Sequence, residues 1–291
     1  MFVEVAERGS FVKAAAHLGR STAAVSRAVA ALEARLDTRL LLRTTRAVTL
    51  TDAGTRYLDR CRTLLAGFEE LEAAAASEQA EPQGLISLTA PVVFGRLHVL
   101  PVAAAFLGEH PRLRMRFLML DRNVSLVDEG IDVGVRIGPL ADSSLKAAKV
   151  GRVTRGIYAS PAYLARAGTP ETPEELGHRD CIAVSAATGE NERWAFGARG
   201  RPRKTVAVTP RLTVTTIDAG IEAALAGLGL ARLLSYQVDA LVAAGKLTRV
   251  LAAHEPDALP IHVIQPASAH VPAKVRGFVD RLVPALRKKF G

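Results

Sequence analysis

Cysteine and aromatic residues are scarce in this sequence. Its 291 residues include two cysteines, Cys61 and Cys181, far apart and with no second pair near either. This spacing excludes a disulfide framework and a cysteine-based zinc site. Aromatic residues make up 5% of the chain. No apolar run approaches the roughly 18 residues of a membrane span, and the first residues lack the pattern of a signal peptide. We therefore expect a soluble cytoplasmic protein without a membrane partner.

The sequence also lacks the motifs that catalysis and metal binding need. Its seven histidines are scattered, with no pair at HxxxH or HxH spacing, and neither a P-loop nor a Gly-x-Ser-x-Gly motif occurs. Gly227-Leu228-Gly229 lacks the third glycine of a nucleotide-binding fingerprint. Cys181 is expected to be an inert thiol rather than a redox sensor. The sequence therefore predicts no enzyme, no cofactor and no metal site.

Positive charge is what the chain has in excess. It carries 38 lysines and arginines against 29 acidic residues, a formal net charge of +9 that attracts polyanions or small anions. Between Arg20 and Arg46 there are six arginines against Glu33 and Asp37, so this stretch is a compact basic module. The length of the chain predicts two or three domains.

The amino-terminal segment has the pattern of three short helices. Gly9-Ser10 and Gly19-Arg20-Ser21 interrupt it, and Ser10 and Ser21 are typical N-caps. The third predicted helix has an apolar stripe formed by Val25, Val29, Leu32 and Leu36. Two short helices joined by a tight turn, then a β-branched and basic segment, are typical of a winged helix-turn-helix.

The outer face of the third helix and the basic wing are the candidate DNA contacts. Small and hydroxylated side chains allow close approach to the major groove, and arginine commonly binds guanine there. The candidates are Ser21, Thr22, Ala23, Ser26, Arg27, Arg43, Thr45 and Arg46. Arg27 is the candidate for sequence discrimination, whereas Arg43 and Arg46 are expected to set affinity. The alternatives are that these residues are merely solvated, and that Ser26 bonds its own helix backbone.

A long helix is predicted from residue 52 to about residue 80. Its larger apolar residues recur at spacings of four and three, which is the seam of a two-stranded coiled coil; they are Tyr57, Cys61, Leu64, Phe68 and Leu71. The alternative is a helix packed on its own domain. Glu81-Pro82-Gln83-Gly84 ends the helix as a hinge, and strands then alternate with helices, which predicts an α/β architecture with parallel sheets.

Motifs along nearly the whole chain carry a family resemblance. They include Gly9-Ser10-Phe11, Ala14-Ala15-Ala16-His17-Leu18, Ala24-Val25-Ser26, Leu32-Glu33, Arg43-Thr44-Thr45-Arg46, Thr89-Ala90-Pro91, Ser160-Pro161-Ala162-Tyr163-Leu164 and Phe278-Val279-Asp280. In these strings the chain resembles the LysR-type transcriptional regulators. The resemblance implies an amino-terminal all-α winged helix-turn-helix, a dimerising linker helix and a carboxy-terminal α/β effector domain. The two lobes of that domain are similar to periplasmic binding proteins of type 2.

On this resemblance the chain divides into four parts. We expect the winged helix-turn-helix at 1–51, the linker helix at 52–80, the hinge at 81–84 and the effector domain at 85–291. Lobe one is expected at 85–155 and 258–291, and lobe two at 156–257. Members of the family usually have several more residues before the position of Met1, so we expect the first helix to be shortened.

The cleft between two such lobes is where an effector is expected, because strand ends and helix N-termini meet there. The candidate residues are Ala90, Pro91, Val92, Phe94, Arg136, Ile137, Trp194, Thr216 and Ile217. The resemblance ranks Thr216 highest. Arg136 has the alternative of a structural ion pair with Asp128 or Asp132, and Trp194 that of a core residue in lobe two.

These observations predict a ligand-responsive transcriptional regulator. Its expected partners are double-stranded DNA with an interrupted palindromic operator, a small organic effector of anionic or aromatic character, and further copies of itself in a dimer and a tetramer. Contact with RNA polymerase stays open. The alternative is a small-molecule binding module that no longer reads DNA because of its shortened first helix.

Overall fold

A computed structural model describes residues 1–43, 48–76, 82–140, 145–185, 192–197, 204–267 and 271–291. Contacts between Cα atoms divide the chain into two units. The amino-terminal unit comprises Met1–Leu85 and Val127–Gly130, and the carboxy-terminal unit comprises Ile86–Leu126 and Ile131–Gly291.

The amino-terminal unit consists of four helices and a small hairpin. Its elements are α1 (Phe2–Arg8), α2 (Phe11–His17), α3 (Thr22–Leu36), β1 (Leu41–Arg43), β2 (Val48–Leu50) and α4 (Asp52–Ala76). Strands β1 and β2 are antiparallel, with Leu41 opposite Leu50. The predicted caps are confirmed, because the hydroxyl oxygens of Ser10 and Ser21 accept backbone N–H groups at the starts of α2 and α3.

Each helix of this unit packs one face into a common hydrophobic core. Val25 and Val29 of α3 are fully buried beside Phe2 and Val5 of α1. Leu36, predicted on the same stripe, is 38% exposed. It is the last residue of α3, and the chain leaves the helix through Asp37 in the left-handed conformation. The stripe therefore stops before the end of the helix.

The carboxy-terminal unit contains two five-stranded sheets. The first-lobe sheet has the order β4-β3-β5-β14-β6, and its strands are β3 (Gly84–Ala90), β4 (Leu113–Met119), β5 (Val133–Ile137), β6 (Leu145–Val153) and β14 (Leu259–Pro266). The second-lobe sheet has the order β11-β8-β12-β7-β13, and its strands are β7 (Arg155–Ala159), β8 (Cys181–Val184), β11 (Pro210–Val214), β12 (Leu230–Leu234) and β13 (Thr248–Val250). A hairpin of β9 (Glu192–Phe196) and β10 (Lys204–Val208) accompanies the second lobe.

Helices flank both sheets. They are α5 (Val92–Phe94), α6 (Leu100–Glu109), α7 (Pro161–Ala167), α8 (Ile217–Leu225), α9 (Ser235–Ala243) and α10 (Ala273–Phe290). A π-helical segment, Gly95–Val99, joins α5 to α6. Among the described residues the continuous helix Val92–Glu109 is long and apolar enough to span a membrane by length and composition. Its Phe94, Val99 and Phe106 are buried in the first-lobe core.

The expectation of parallel sheets is wrong, since both sheets are mixed. Strands β3 and β5 are parallel, as are β8 and its neighbours β11 and β12. The chain passes between the sheets twice, from β6 into β7 and from β13 to β14. The strands at these passages pair antiparallel, β14 with β5 and β6, and β7 with β12 and β13. A strand that enters a sheet directly from another sheet has no crossover helix to restore the parallel direction.

Candidate functional sites

The turn between α2 and α3 fixes the geometry of the DNA-binding candidate. Ser10 Oγ accepts the Lys13 N–H at 3.3 Å, and Ser21 Oγ accepts the Ala24 N–H at 3.2 Å. Gly19 takes a φ of 60° between the two helices, in the left-handed region that favours glycine. In the structure the Ser21 hydroxyl therefore serves as the N-cap of α3.

The outer face of α3 is open to solvent. Thr22, Ala23 and Arg27 are exposed, whereas Val25 on the opposite side is fully buried. Ser26 is half-buried, at the edge of the exposed face. Small side chains beside one arginine leave room for a helix to enter a major groove. The structure therefore brings the predicted α3 residues together on one accessible surface.

A buried carboxylate holds the base of the wing against α3. Glu33 is 8% exposed, and its Oε1 accepts the backbone N–H groups of Leu40 at 2.7 Å and Leu41 at 2.9 Å. Arg43 is the last residue of β1, and the predicted contacts Thr45 and Arg46 lie outside the described residues. Sequence reasoning missed the role of Glu33, because a charged residue in a helix is ordinarily assigned to the surface.

The start of α4 is locked to the same segment. Thr51 Oγ1 accepts the Gly54 N–H at 2.9 Å and donates to the Arg39 carbonyl at 2.8 Å. A Cβ atom at Gly54 would lie 2.0 Å from the Leu40 carbonyl oxygen, so only glycine fits there. These bonds make Thr51 the N-cap of α4.

The predicted dimer seam on α4 has two parts. The ring of Tyr57 packs edge-on against Phe2 with 5.5 Å between centroids, and Cys61 joins the same core. Leu64 is 73% exposed and Phe68 is 59% exposed. The side chain of Leu71 lies outside the described part of the chain. The amino-terminal end of the seam thus packs on its own unit, and the following turns leave large apolar side chains in solvent.

Several predicted effector residues take structural roles in the first lobe. Ala90 and Phe94 are fully buried, and the Phe94 ring packs against Tyr236 of the second lobe at 5.2 Å. The N–H of Val92 donates to Asp121 Oδ1 at 3.1 Å. Pro91, the N-cap residue of α5, is half-buried. These residues shape the first-lobe edge that faces the second lobe.

Arg136 is buried in the first lobe. Its guanidinium donates to the Val124 carbonyl at 3.2 Å, and burial lowers its pKa. The Asp132 carboxylate accepts the Ser87 N–H at 2.7 Å. Ile137 follows Arg136 at the end of β5 and packs against the first-lobe core. In the structure a backbone carbonyl is therefore the partner of Arg136.

Thr216 and Ile217 stand at the start of α8. Thr216 Oγ1 accepts the Ala219 N–H at 3.3 Å, so this residue caps the helix. Asp218, in the first turn, pairs with Arg96 of the first lobe at 3.2 Å. The start of α8 is therefore capped by Thr216 and is linked to the first lobe through Asp218.

A cavity of about 180 Å³ opens in the second lobe beside Ile217. It is lined by Arg155, Ile182, Val184, Glu192, Trp194, Ile217, Arg232, Leu233, Leu234 and Gln237. We call it the second-lobe cavity. It includes two of the predicted effector residues, Trp194 and Ile217, and the other predicted positions do not line it.

Trp194 fulfils both of the alternatives left open by the sequence. It is 1% exposed and belongs to a core cluster of the second lobe, yet it also lines the cavity. Its indole Nε1 donates to Glu192 Oε2 at 2.9 Å. The guanidinium of Arg232 lies over its ring, 5.7 Å from the centroid.

Sequence reasoning missed the polar residues of this cavity. Burial and then the nearby positive charge of Arg155 lower the pKa of Arg232 to about 10, although the carboxylate of Glu192 acts in the opposite direction. Burial also lowers the pKa of Arg155. The available signal was Arg232 itself, a lone cation inside the apolar strand Leu230–Leu234. By contrast, burial raises the pKa of the Cys181 thiol to about 12, as expected of an inert cysteine.

The chain matches two family models. Residues 1–55 match the bacterial regulatory helix-turn-helix proteins of the lysR family, and residues 79–287 match the LysR substrate binding domain. The match over residues 1–55 disfavours a binding module that no longer reads DNA. In the structure α1 is formed, with Phe2 and Val5 buried.

Individual relatives cover almost the entire chain. An HTH-type transcriptional repressor of Pseudomonas aeruginosa is 36% identical, over 96% of this chain and 88% of its own. CrgA of Neisseria meningitidis is 33% identical, over 98% of this chain and 95% of its own. The solved structure of CrgA covers 98% of this chain and 96% of its own, with a TM-score of 0.63. That of the virulence activator AphB of Vibrio cholerae covers 97% and 96%, with 26% identity and a TM-score of 0.64. The chain belongs to the LysR family of transcriptional regulators, with a DNA-binding helix-turn-helix and an effector-binding domain.

Proposed function

We propose that two copies of the chain read an interrupted palindromic operator, each through the outer face of α3. The observation that carries this proposal is the exposed set Thr22, Ala23 and Arg27 on a helix whose opposite side is buried. The wing supplies phosphate contacts through Arg43 and Arg46, and these set affinity rather than sequence preference. Half-sites one helical turn or a multiple apart match a two-fold protein.

The linker helix α4 joins the two copies in this proposal. Support comes from Leu64 and Phe68, two large apolar side chains that face solvent in a single chain. A monomeric protein rarely leaves such residues exposed together, whereas a coiled-coil partner covers them. Association of dimers into a tetramer gives an effector a means to change the spacing or bend of bound DNA.

The second lobe and its cavity receive the effector. Ligand occupancy acts on DNA binding only if the ligand favours one arrangement of the subunits over another. This role requires no catalysis, and we infer a cytoplasmic location because the DNA target lies there. RNA polymerase is a further partner if the chain activates transcription.

The test measures DNA binding by the full chain. Fluorescence anisotropy compares the duplex upstream of its own gene with a scrambled duplex, at several salt concentrations. We expect a clear preference for the native duplex and a steep loss of affinity with salt, because bound phosphates release counterions. Arg27→Ala should remove the preference and leave the salt slope nearly unchanged.

The matched control is Arg8→Ala. Arg8 is also an exposed arginine of the amino-terminal unit, but it lies on α1 and pairs with Glu4 at 2.7 Å. The Arg8→Ala variant should keep the preference for the native duplex. Equal binding of both duplexes by the wild-type chain, or an unchanged preference in Arg27→Ala, would contradict the proposed role of α3.

A further inference from the structure

Two guanidinium groups, those of Arg155 and Arg232, share the second-lobe cavity with the carboxylate of Glu192. Burial and then the charge of Arg155 lower the pKa of Arg232, whereas the charge of Glu192 raises it. Within the described residues, no ion pair joins either group to an acidic side chain. Two like charges that are partly withdrawn from water and close together are costly to maintain.

The cavity holds one acidic side chain to set against them. Glu192 is the only carboxylate among its lining residues in the described part of the chain, and its Oε2 already accepts the indole N–H of Trp194. Two positive charges and one negative charge leave a net charge of +1 in the cavity. A ligand that carries one negative charge would bring the net charge of the cavity to zero.

The remaining walls are apolar. Ile182, Val184, Ile217, Leu233 and Leu234 surround the charged groups, and the Trp194 ring forms one side. The volume of the cavity is about 180 Å³. A compact ligand with an apolar or planar body suits such walls.

We propose that the second-lobe cavity binds a small organic monocarboxylate, held by Arg155 and Arg232, with its body against Trp194. Arginine suits this role because its planar donors match the two oxygens of a carboxylate. The inference rests on the proposed function, in which this cavity is the effector site, and it adds the chemical class of the effector and the residues that recognise it.

The cavity also adjoins the contacts between the lobes. Ile217 lines it, and the next residue, Asp218, pairs with Arg96 of the first lobe. Gln237 lines it as well, and its neighbour Tyr236 packs on Phe94 of the first lobe. A carboxylate bound in the cavity would therefore touch α8 and α9, the two helices of the second lobe that contact the first lobe.

Trp194 provides a direct readout, since it is the single tryptophan of the chain. The full chain is titrated with butyrate and benzoate, and in parallel with butyramide and benzamide, while tryptophan emission is recorded. The amides match the acids in shape and lack the charge. We expect saturable change with at least one acid, at a concentration about tenfold or more below that needed for its amide.

Substitutions of the two arginines test whether they bind the carboxylate of the ligand. Arg232→Gln and Arg155→Gln should each raise the half-saturating acid concentration about tenfold or more, and Arg232→Lys should fall between wild type and Arg232→Gln. The control is Arg211→Gln, an exposed arginine of the second lobe paired with Asp180 at 3.0 Å. It should bind the acid within about twofold of wild type.

Thermal unfolding of the free chain separates recognition from a purely structural role. Removing an uncompensated charge should leave the melting temperature of Arg232→Gln equal to or above that of wild type. A marked fall in the melting temperature would make Arg232 a structural residue and overturn the inference. So would equal binding of acid and amide, saturation by neither acid, or unchanged binding in both glutamine variants.

DNA binding is measured on the same preparations. If operator preference is present and the acids do not bind, the carboxylate inference fails and the proposed function stands. If the acids bind as expected and no duplex is preferred, the proposed function fails instead.

Discussion

Glu33 and Leu40 are joined by a hydrogen bond of 2.7 Å in which the buried carboxylate accepts the backbone N–H. The same oxygen accepts the N–H of Leu41. One side chain of α3 therefore satisfies two donors at the start of the wing. This carboxylate therefore helps to hold β1 in its position relative to α3.

Replacing Glu33 by alanine should loosen the wing. Two buried N–H groups would lose their acceptor, and we expect a cost of about 2–3 kcal/mol in the stability of the amino-terminal unit. Hydrogen exchange in the full chain should show faster exchange at Leu40 and Leu41. Glu7→Ala is the control, since Glu7 is an exposed residue paired with Arg62 at 2.9 Å. Unchanged exchange in Glu33→Ala would contradict the structural role of the carboxylate.

Gly54→Ala should disrupt the junction between the wing and α4. The added Cβ would lie 2.0 Å from a backbone oxygen that cannot move without displacing β1. We expect a loss of several kcal/mol in stability and of DNA binding, measured by thermal unfolding and anisotropy. Gly108→Ala is the matched control, because a Cβ there meets nothing within 4 Å. It should be neutral or stabilise α6 by about 0.5–1 kcal/mol. Equal melting temperatures of the two variants would refute the prediction.

The helix-turn-helix could be predicted from sequence because its signals are local. Ser10 and Ser21 cap the helices they precede, and the Val25 and Val29 stripe is buried. Local signals are set by residues a few positions apart, so a single sequence shows them.

The second-lobe cavity could be predicted only in part, because its lining residues come from separate segments of the sequence. Arg155 belongs to β7, Trp194 to the β9 hairpin and Arg232 to β12, and only the fold brings them together. Thr216, the position that the resemblance ranked highest, caps α8 and does not line this cavity. The mixed direction of the sheets was also hidden, because strand direction depends on which sheet the chain enters next.

The exposed apolar residues of α4 predict a dimer that should be weakened when their side chains are shortened to alanine. The double variant Leu64→Ala and Phe68→Ala removes apolar area that a partner helix would cover in both copies. At about 1.5–3 kcal/mol for each buried side chain, the dissociation constant of the dimer should rise at least about tenfold. Sedimentation velocity over a range of concentrations measures this change. Val12→Ala, at a residue of α2 that is 66% exposed, should leave association unchanged. Identical association in the double variant would exclude this face of α4 from the interface.

His98 should make the stability of the carboxy-terminal unit fall in mild acid. Burial, followed by the charge of Lys289, lowers the pKa of His98 to about 4, and the Lys289 Nζ lies 3.0 Å from its Nδ1. The ring packs against Phe94, Tyr236 and Phe290. The unfolded chain takes up a proton below its ordinary pKa of about 6.5, whereas the folded chain does not until about pH 4.

The contribution of His98 is thus fully present above about pH 6.5 and is lost as the pH falls toward 4, by up to about 3 kcal/mol. Melting temperatures of the full chain between pH 7.5 and 4.5 measure this slope, with other groups adding to it. His98→Phe keeps an aromatic ring in the cluster and removes the titrating group, so its slope should be smaller than that of wild type. His178→Phe, at an exposed histidine, should retain the slope of wild type. If His98→Phe and His178→Phe lose stability in parallel on acidification, the buried ring is not the source of the pH dependence.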